Sequence, residues 1–92
     1  MMVKARLSEI WPPPRLIRAA RGLAGIDQVV LARHAGVSRH AVMAIEGDES
    51  DTMDYRRLDV LEKLQGVLEK EFGIEFLRAT KKSGAGVRFK KP

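Results

Sequence analysis

Apolar positions along the 92-residue chain change their period twice, and the changes mark its elements. Near the start Val3, Leu7, Ile10 and Trp11 stand at helical spacing, a short stripe that Pro12, Pro13 and Pro14 would stop. The same stretch also reads as a basic arm carrying Lys4 and Arg6, held off by a stiff polyproline segment. Local spacing leaves both readings open. After the prolines, Leu16, Ile17, Ala20 and Leu23 fall on one side of a first helix, with Pro13 or Pro14 in its opening turn and Gly25 as terminator.

Asp27 then offers a capping carboxylate for a second helix of about two turns, Gln28 to His34, with Leu31 and Ala32 inward. Ala35-Gly36-Val37-Ser38 breaks that pattern. Gly36 can take the positive φ of a sharp turn, Val37 is a buried plug, and Ser38 caps a third helix from about Arg39 to Glu46, with Val42 and Ile45 inward. The acidic string GDESDTMD reads as a loop, with Asp51, Thr52 or Asp54 capping the next helix. From Tyr55 to Phe72 the apolar positions Leu58, Leu61, Leu64, Val67, Leu68 and Phe72 repeat at three and four residues, a long amphipathic helix closed by Gly73. The period then drops to two in GIEFL and again in GVRFK, and the Gly-rich polar stretch between them makes the pair a β-hairpin. A lone hairpin is marginal in water, so the face formed by Ile74, Phe76, Val87 and Phe89 must lie on a helix or on a second chain.

Composition narrows the class. With 45% apolar and 32% charged residues the chain is globular rather than disordered, and its length suits one domain. We divide it into an N-terminal extension, residues 1–14, and a single domain, 15–92. No cysteine is present, which excludes disulfides and thiolate chemistry and suits a reducing compartment. Neither a signal-peptide run nor a membrane-length apolar run occurs, so a cytoplasmic protein with no membrane role is expected. The net charge of +5 is unevenly spread: residues 1–47 carry +4, residues 48–77 carry −5, and residues 78–92 carry +6. Two basic segments flanking an acidic one suit a chain that meets a polyanion on two surfaces, although lumpy charge is common among soluble proteins.

The informative stretch is QVVLARHAGVSRHAVMAIE, Gln28 to Glu46. Two short helices joined by a tight turn place the second proud of the surface, where it fits a DNA major groove about 12 Å wide. That geometry needs a small residue where the helices cross, a glycine at the turn, a plug after it, and polar residues opening the second helix. Ala32, Gly36, Val37 and then Ser38, Arg39 and His40 meet those needs in order. Catalytic chemistry is not assembled: His34 and His40 sit across a turn with no third ligand, and the acidic loop lacks calcium-loop placement. No enzyme, no metal and no cofactor is therefore expected, and the chain lacks the surface aromatics that stack RNA bases.

From about Leu16 to Glu46 the sequence resembles the Cro and phage-repressor-like family of helix-turn-helix regulators, the XRE family. With its GIEF and GVRF strands it is similar to a smaller branch of that family, common in alphaproteobacteria. The resemblance implies a mainly α fold: a lambda-repressor-like helix-turn-helix bundle with a long fourth helix and a C-terminal β-hairpin. By the same resemblance, Gln28 contacts a DNA phosphate at the start of the second helix. Arg39 and His40 match positions that read base edges, and Ser38 adds a contact through its capping hydroxyl. Met43 and Ala44 complete the DNA-binding set. Arg21 and Glu46 match a family pair that bridges the first helix to the end of the third as scaffold. Two departures stand out. Val29 and Val30 replace polar residues and suggest a protein partner such as RNA polymerase or a dimer mate, while Ala44 replaces a longer polar side chain and leaves either a thymine-methyl contact or none.

Arg18, Lys81 and Lys82 are further candidates for phosphate contact. The basic tail that includes Arg88, Lys90 and Lys91 acts either as a wing on phosphates or as protection for an edge strand. The expected function is sequence-specific binding of double-stranded DNA by a nucleoid-associated transcriptional regulator. It would act as a homodimer, paired through the long helix and hairpin, on an inverted repeat. The rivals are an antitoxin that regulates its own operon and a protein-interaction module on the same fold.

Overall fold

Each helix begins where a short polar or proline residue fixes the first turn and ends where the backbone must reverse. The structure is a computed structural model and describes residues 4–6, 10–50 and 52–91. Its elements, in chain order, are β1 (Lys4–Arg6), α1 (Pro14–Ala24), α2 (Gln28–Ala35), α3 (Arg39–Glu46), β2 (Thr52–Asp54), α4 (Tyr55–Lys70), β3 (Ile74–Leu77) and β4 (Gly86–Phe89). Pro14 opens α1, and Gly25, at φ 72°, closes it by donating its N–H back to the last turn. Asp54 caps α4, its carboxylate accepting from the N–H of Arg57 at 2.9 Å.

The core is built around α4, which packs against α1, α2, α3, β2 and β3. Leu61, Leu64, Val67 and Leu68 of α4 meet Ile17 and Ala20 of α1, Leu31 and Ala32 of α2, and Val42 and Ile45 of α3 in one buried cluster. Helical periodicity therefore selects the inward face in all four helices, Leu23 of α1 excepted. The hairpin closes one end of this cluster. Its strands pair antiparallel with Ile74 opposite Phe89 and Phe76 opposite Val87. Ile74 is fully buried, Phe76 and Val87 are partly buried against the core, and the N–H of Lys90 donates to the Gly73 carbonyl at 2.8 Å to extend the pairing.

Several expectations need correction. The N-terminal stretch is neither a helix stripe nor a free basic arm where it is described: β1 pairs antiparallel with β2, Lys4 opposite Asp54 and Arg6 opposite Thr52. Thr52–Asp54 is consequently a strand and not loop, and it carries the fully buried Met53. A strand of three residues is too short to show alternation, and its partner lies far away along the chain. Val3 and Leu7, the other stripe positions, and the capping candidate Asp51 lie outside the described residues.

Ile10 and Pro12 are buried, so the proline stretch enters the core edge instead of holding the start of the chain away. Leu23 is 40% exposed because it lies at the edge of the α1 stripe, and Ala24 takes the inward place in the last turn. Phe89 is 53% exposed, so one of the four residues of the hairpin face lies largely outside the core. The long helix ends at Lys70, short of Phe72, and Gly73 with φ 68° turns the chain into β3.

The packing sets an ordering of mutational costs. Leu68→Ala should destabilise by about 2–5 kcal/mol, because it empties a fully enclosed site. Leu23→Ala should cost less than about 1 kcal/mol. Urea unfolding of the two variants checks this, and equal costs would contradict the placement of Leu23.

Candidate nucleic-acid interface

The turn between α2 and α3 is fixed by local chemistry. Asp27 accepts from the Val30 N–H at 2.8 Å and so starts α2. Gly36, at φ 69°, ends it, and the Val37 N–H reaches back to the Ala32 carbonyl at 3.0 Å. A side chain at Gly36 would be strained by this left-handed backbone even though the surrounding space is open. Ser38 Oγ then accepts from the Ala41 N–H at 3.0 Å and starts α3. Two helices of eight residues each are thereby joined by a three-residue turn in which Val37 is packed partly against the core.

α3 has two unlike faces. Val42, Ile45 and Glu46 are buried. Arg39, His40, Met43 and Ala44 are exposed, and their spacing of three and four residues places them on one outward stripe. Arg39 also lines a shallow groove of about 350 Å³ with Arg21, Asp27, Gln28 and Val29, so the starts of α2 and α3 share one surface. Val29 and Met43 are each 44% exposed, which gives this polar surface two apolar patches.

Behind the stripe stands Glu46, the one charged residue that is buried as a whole among the described residues. Arg21 binds it through two bonds, Nε donating to Oε2 at 2.8 Å and Nη2 to Oε1 at 2.9 Å. The same guanidinium donates through Nη1 to the Ile26 carbonyl at 3.2 Å, and Gln28 Nε2 adds a bond to Glu46 Oε1 at 3.2 Å. The hydrogen bonds it donates to Glu46 hold Arg21 above its ordinary pKa, against the opposing effect of its burial. The pairing of Arg21 with Glu46 is thus bidentate, and it draws in α1, the loop before α2, α2 itself and α3.

Sequence reading missed the inward role of Gln28. One amide hydrogen is committed to Glu46, which leaves the second and the amide oxygen for a contact outside. It also missed the network just after α3. Asp48 accepts from the N–H and hydroxyl of Ser50 and from Arg57 Nη1 at 2.9 Å. Burial works against the Asp48 charge, yet Ser50 and Arg57 outweigh it and hold the carboxyl below its ordinary value of 3.8. The Asp-x-Ser spacing signals such a turn in the sequence, whereas Arg57, nine residues on, gives no local sign.

The other basic candidates stand apart from the α3 stripe. Lys81 and Lys82 are exposed in the connection between β3 and β4, where Thr80 Oγ1 accepts from the N–H groups of Lys82 and Ser83. Arg18 is exposed on α1 and lines a larger cleft that runs past the end of α3. Arg88 is paired with Glu75 across the hairpin at 2.8 Å, and Lys90 Nζ donates to the Glu69 carbonyl at 2.8 Å. Compared with protein-family models, curated proteins and solved structures, the chain matches none.

The burial of the ion pair is asymmetric, 3% exposure for the Glu46 side chain against 23% for Arg21. Arg21→Met, which leaves the carboxylate enclosed without its cation, should cost about 3–5 kcal/mol. Glu46→Gln should cost less, about 1–2 kcal/mol, because the amide keeps hydrogen bonds and Arg21 can reach water. Chemical unfolding measures both, and the reverse order would refute the assignment of Glu46 as the enclosed member. Since the folded pKa of Asp48 is lowered, its stabilisation is present above 3.8 and is lost as pH falls through the lower folded value. Asp48→Asn should therefore be less stable than wild type at neutral pH, with the gap narrowing in acid.

Proposed function

We propose that the chain is a helix-turn-helix transcriptional regulator of the XRE type that binds double-stranded DNA in a sequence-specific manner, with α3 as its recognition helix. One observation carries this reading: the outward stripe Arg39, His40, Met43 and Ala44 on a short helix whose opposite face is buried and tied down by Arg21 and Glu46. A rod with one side anchored and the other free suits insertion into a groove about 12 Å wide.

In this reading Arg39 pairs with the O6 and N7 edge of a guanine, and His40 reads a neighbouring base. Met43 and Ala44 meet thymine methyl groups. Gln28 and Ser38, at the starts of α2 and α3, touch phosphates and set the register, with Arg18, Lys81 and Lys82 as outlying phosphate contacts. Two copies joined through α4 and the hairpin would present their α3 helices to successive major grooves about 34 Å apart, on an inverted repeat. The exposure of Phe89 supports the hairpin as the joining surface. A second reading, a protein-interaction module, draws on the exposed Val29 and Met43; genome-wide occupancy without an enriched sequence would favour it.

Selection of bound duplexes from a random pool should yield a short inverted repeat. Arg39→Ala should then weaken that site by about 1–3 kcal/mol and blur one base position. An equal loss on random DNA would make Arg39 a backbone contact only. Replacing Lys81 and Lys82 with alanine should weaken all duplexes alike and flatten the salt dependence. Sedimentation showing only monomer, with and without DNA, would remove the dimer from this reading.

A further inference from the structure

A cleft of about 670 Å³ lies between the N-terminal half of α1, the chain after α3 and the ends of the hairpin connection. Its volume falls in the range of small-molecule sites, roughly 300–1,000 Å³. Arg15 and Arg18 line one wall, three residues apart and so on neighbouring positions of α1. Arg78, just after β3, also lines the cleft, with its Cζ 4.5 Å from the centroid of the Trp11 ring. Ile10, Trp11 and Pro13 add apolar surface between them.

The charges in the cleft do not cancel. Of its three carboxylates, Glu46 is bound to Arg21 and Asp48 to Arg57, which leaves Glu49. Among the described residues, none of Arg15, Arg18 and Arg78 is paired with a carboxylate. Among the described residues, three cations therefore face one anion in a cleft lined by both polar and apolar groups. We propose that this cleft binds a small organic carboxylate with a flat apolar body: the guanidinium groups of Arg15 and Arg18 hold the carboxylate, and Trp11 and Pro13 cover the apolar part. Guanidinium forks match the geometry of a carboxylate, and a concave wall that also holds Glu49 suits a compact anion better than the rod of a duplex.

Trp11 is the only tryptophan in the chain, so its indole N–H resonance reports on this cleft alone. The full-length protein, without DNA, is titrated with naphthoate, with neutral naphthalenemethanol and with inorganic phosphate, and followed by heteronuclear NMR. Naphthoate should shift the Trp11 signal saturably, and the alcohol should bind at least about tenfold more weakly. Arg15→Gln with Arg18→Gln should weaken naphthoate by a similar factor while leaving thermal unfolding unchanged, since both side chains are exposed. Arg78→Gln provides a single substitution elsewhere in the cleft, with the same expected loss. No saturable shift, or an alcohol that binds as well as the acid, would overturn the site. So would phosphate binding as tightly as naphthoate, which would leave only a grip on bare charge. Because no DNA is present, a negative result leaves the regulator reading untouched, and failure to bind DNA leaves this one untouched.

Discussion

The geometry of the α2–α3 unit depends on one ion pair between residues far apart in the chain. A carboxylate that is almost fully enclosed carries a large desolvation cost unless charge-assisted hydrogen bonds surround it. Arg21 supplies two and Gln28 a third. Since Arg21 also holds the Ile26 carbonyl, the guanidinium joins α1, the approach to α2 and the end of α3 in one planar set of bonds. Val42 and Ile45 alone would leave the rotation of α3 to apolar packing, which is not directional. Bonds to a fixed fork specify which face of the helix points out.

The acidic middle of the sequence has a related role. Its nine carboxylates would oppose a polyanion if all were displayed freely, but four of them have side-chain partners within the fold. Asp48 is held by Arg57, Glu71 by His34, Asp59 by Lys63 and Glu75 by Arg88. Several of the basic residues ahead of it, Arg15, Arg18 and Arg39 among them, have no such carboxylate among the described residues. Segment charge therefore understates how positive the α1 and α3 surfaces are.

Much of this fold was legible in the sequence because much of it is decided locally. Capping by Asp27, Ser38 and Asp54, and reversal at Gly25 and Gly36, each involve residues within one helical turn, and all are present. Helical and alternating periods located four helices and the hairpin for the same reason. What local pattern could not supply is pairing over distance. The β1–β2 ladder joins segments nearly fifty residues apart, and the stacking of Arg78 on Trp11 links residues on either side of four helices. The candidate site divides similarly. The outward stripe of α3 came from period and turn chemistry, the pairing of Arg21 with Glu46 came only through resemblance, and the inward bond of Gln28 came from neither.

Asp54 ends β2 and caps α4 in the same residue. Pairing with Lys4 on one side and the capping bond to Arg57 on the other both act on Asp54, and no linker residue separates strand from helix. The small β1–β2 ladder is therefore joined without a linker to the central helix, against which α1, α2, α3 and β3 all pack. The two-stranded ribbon is thus set on the bundle as a handle is on a shaft, with one residue serving both.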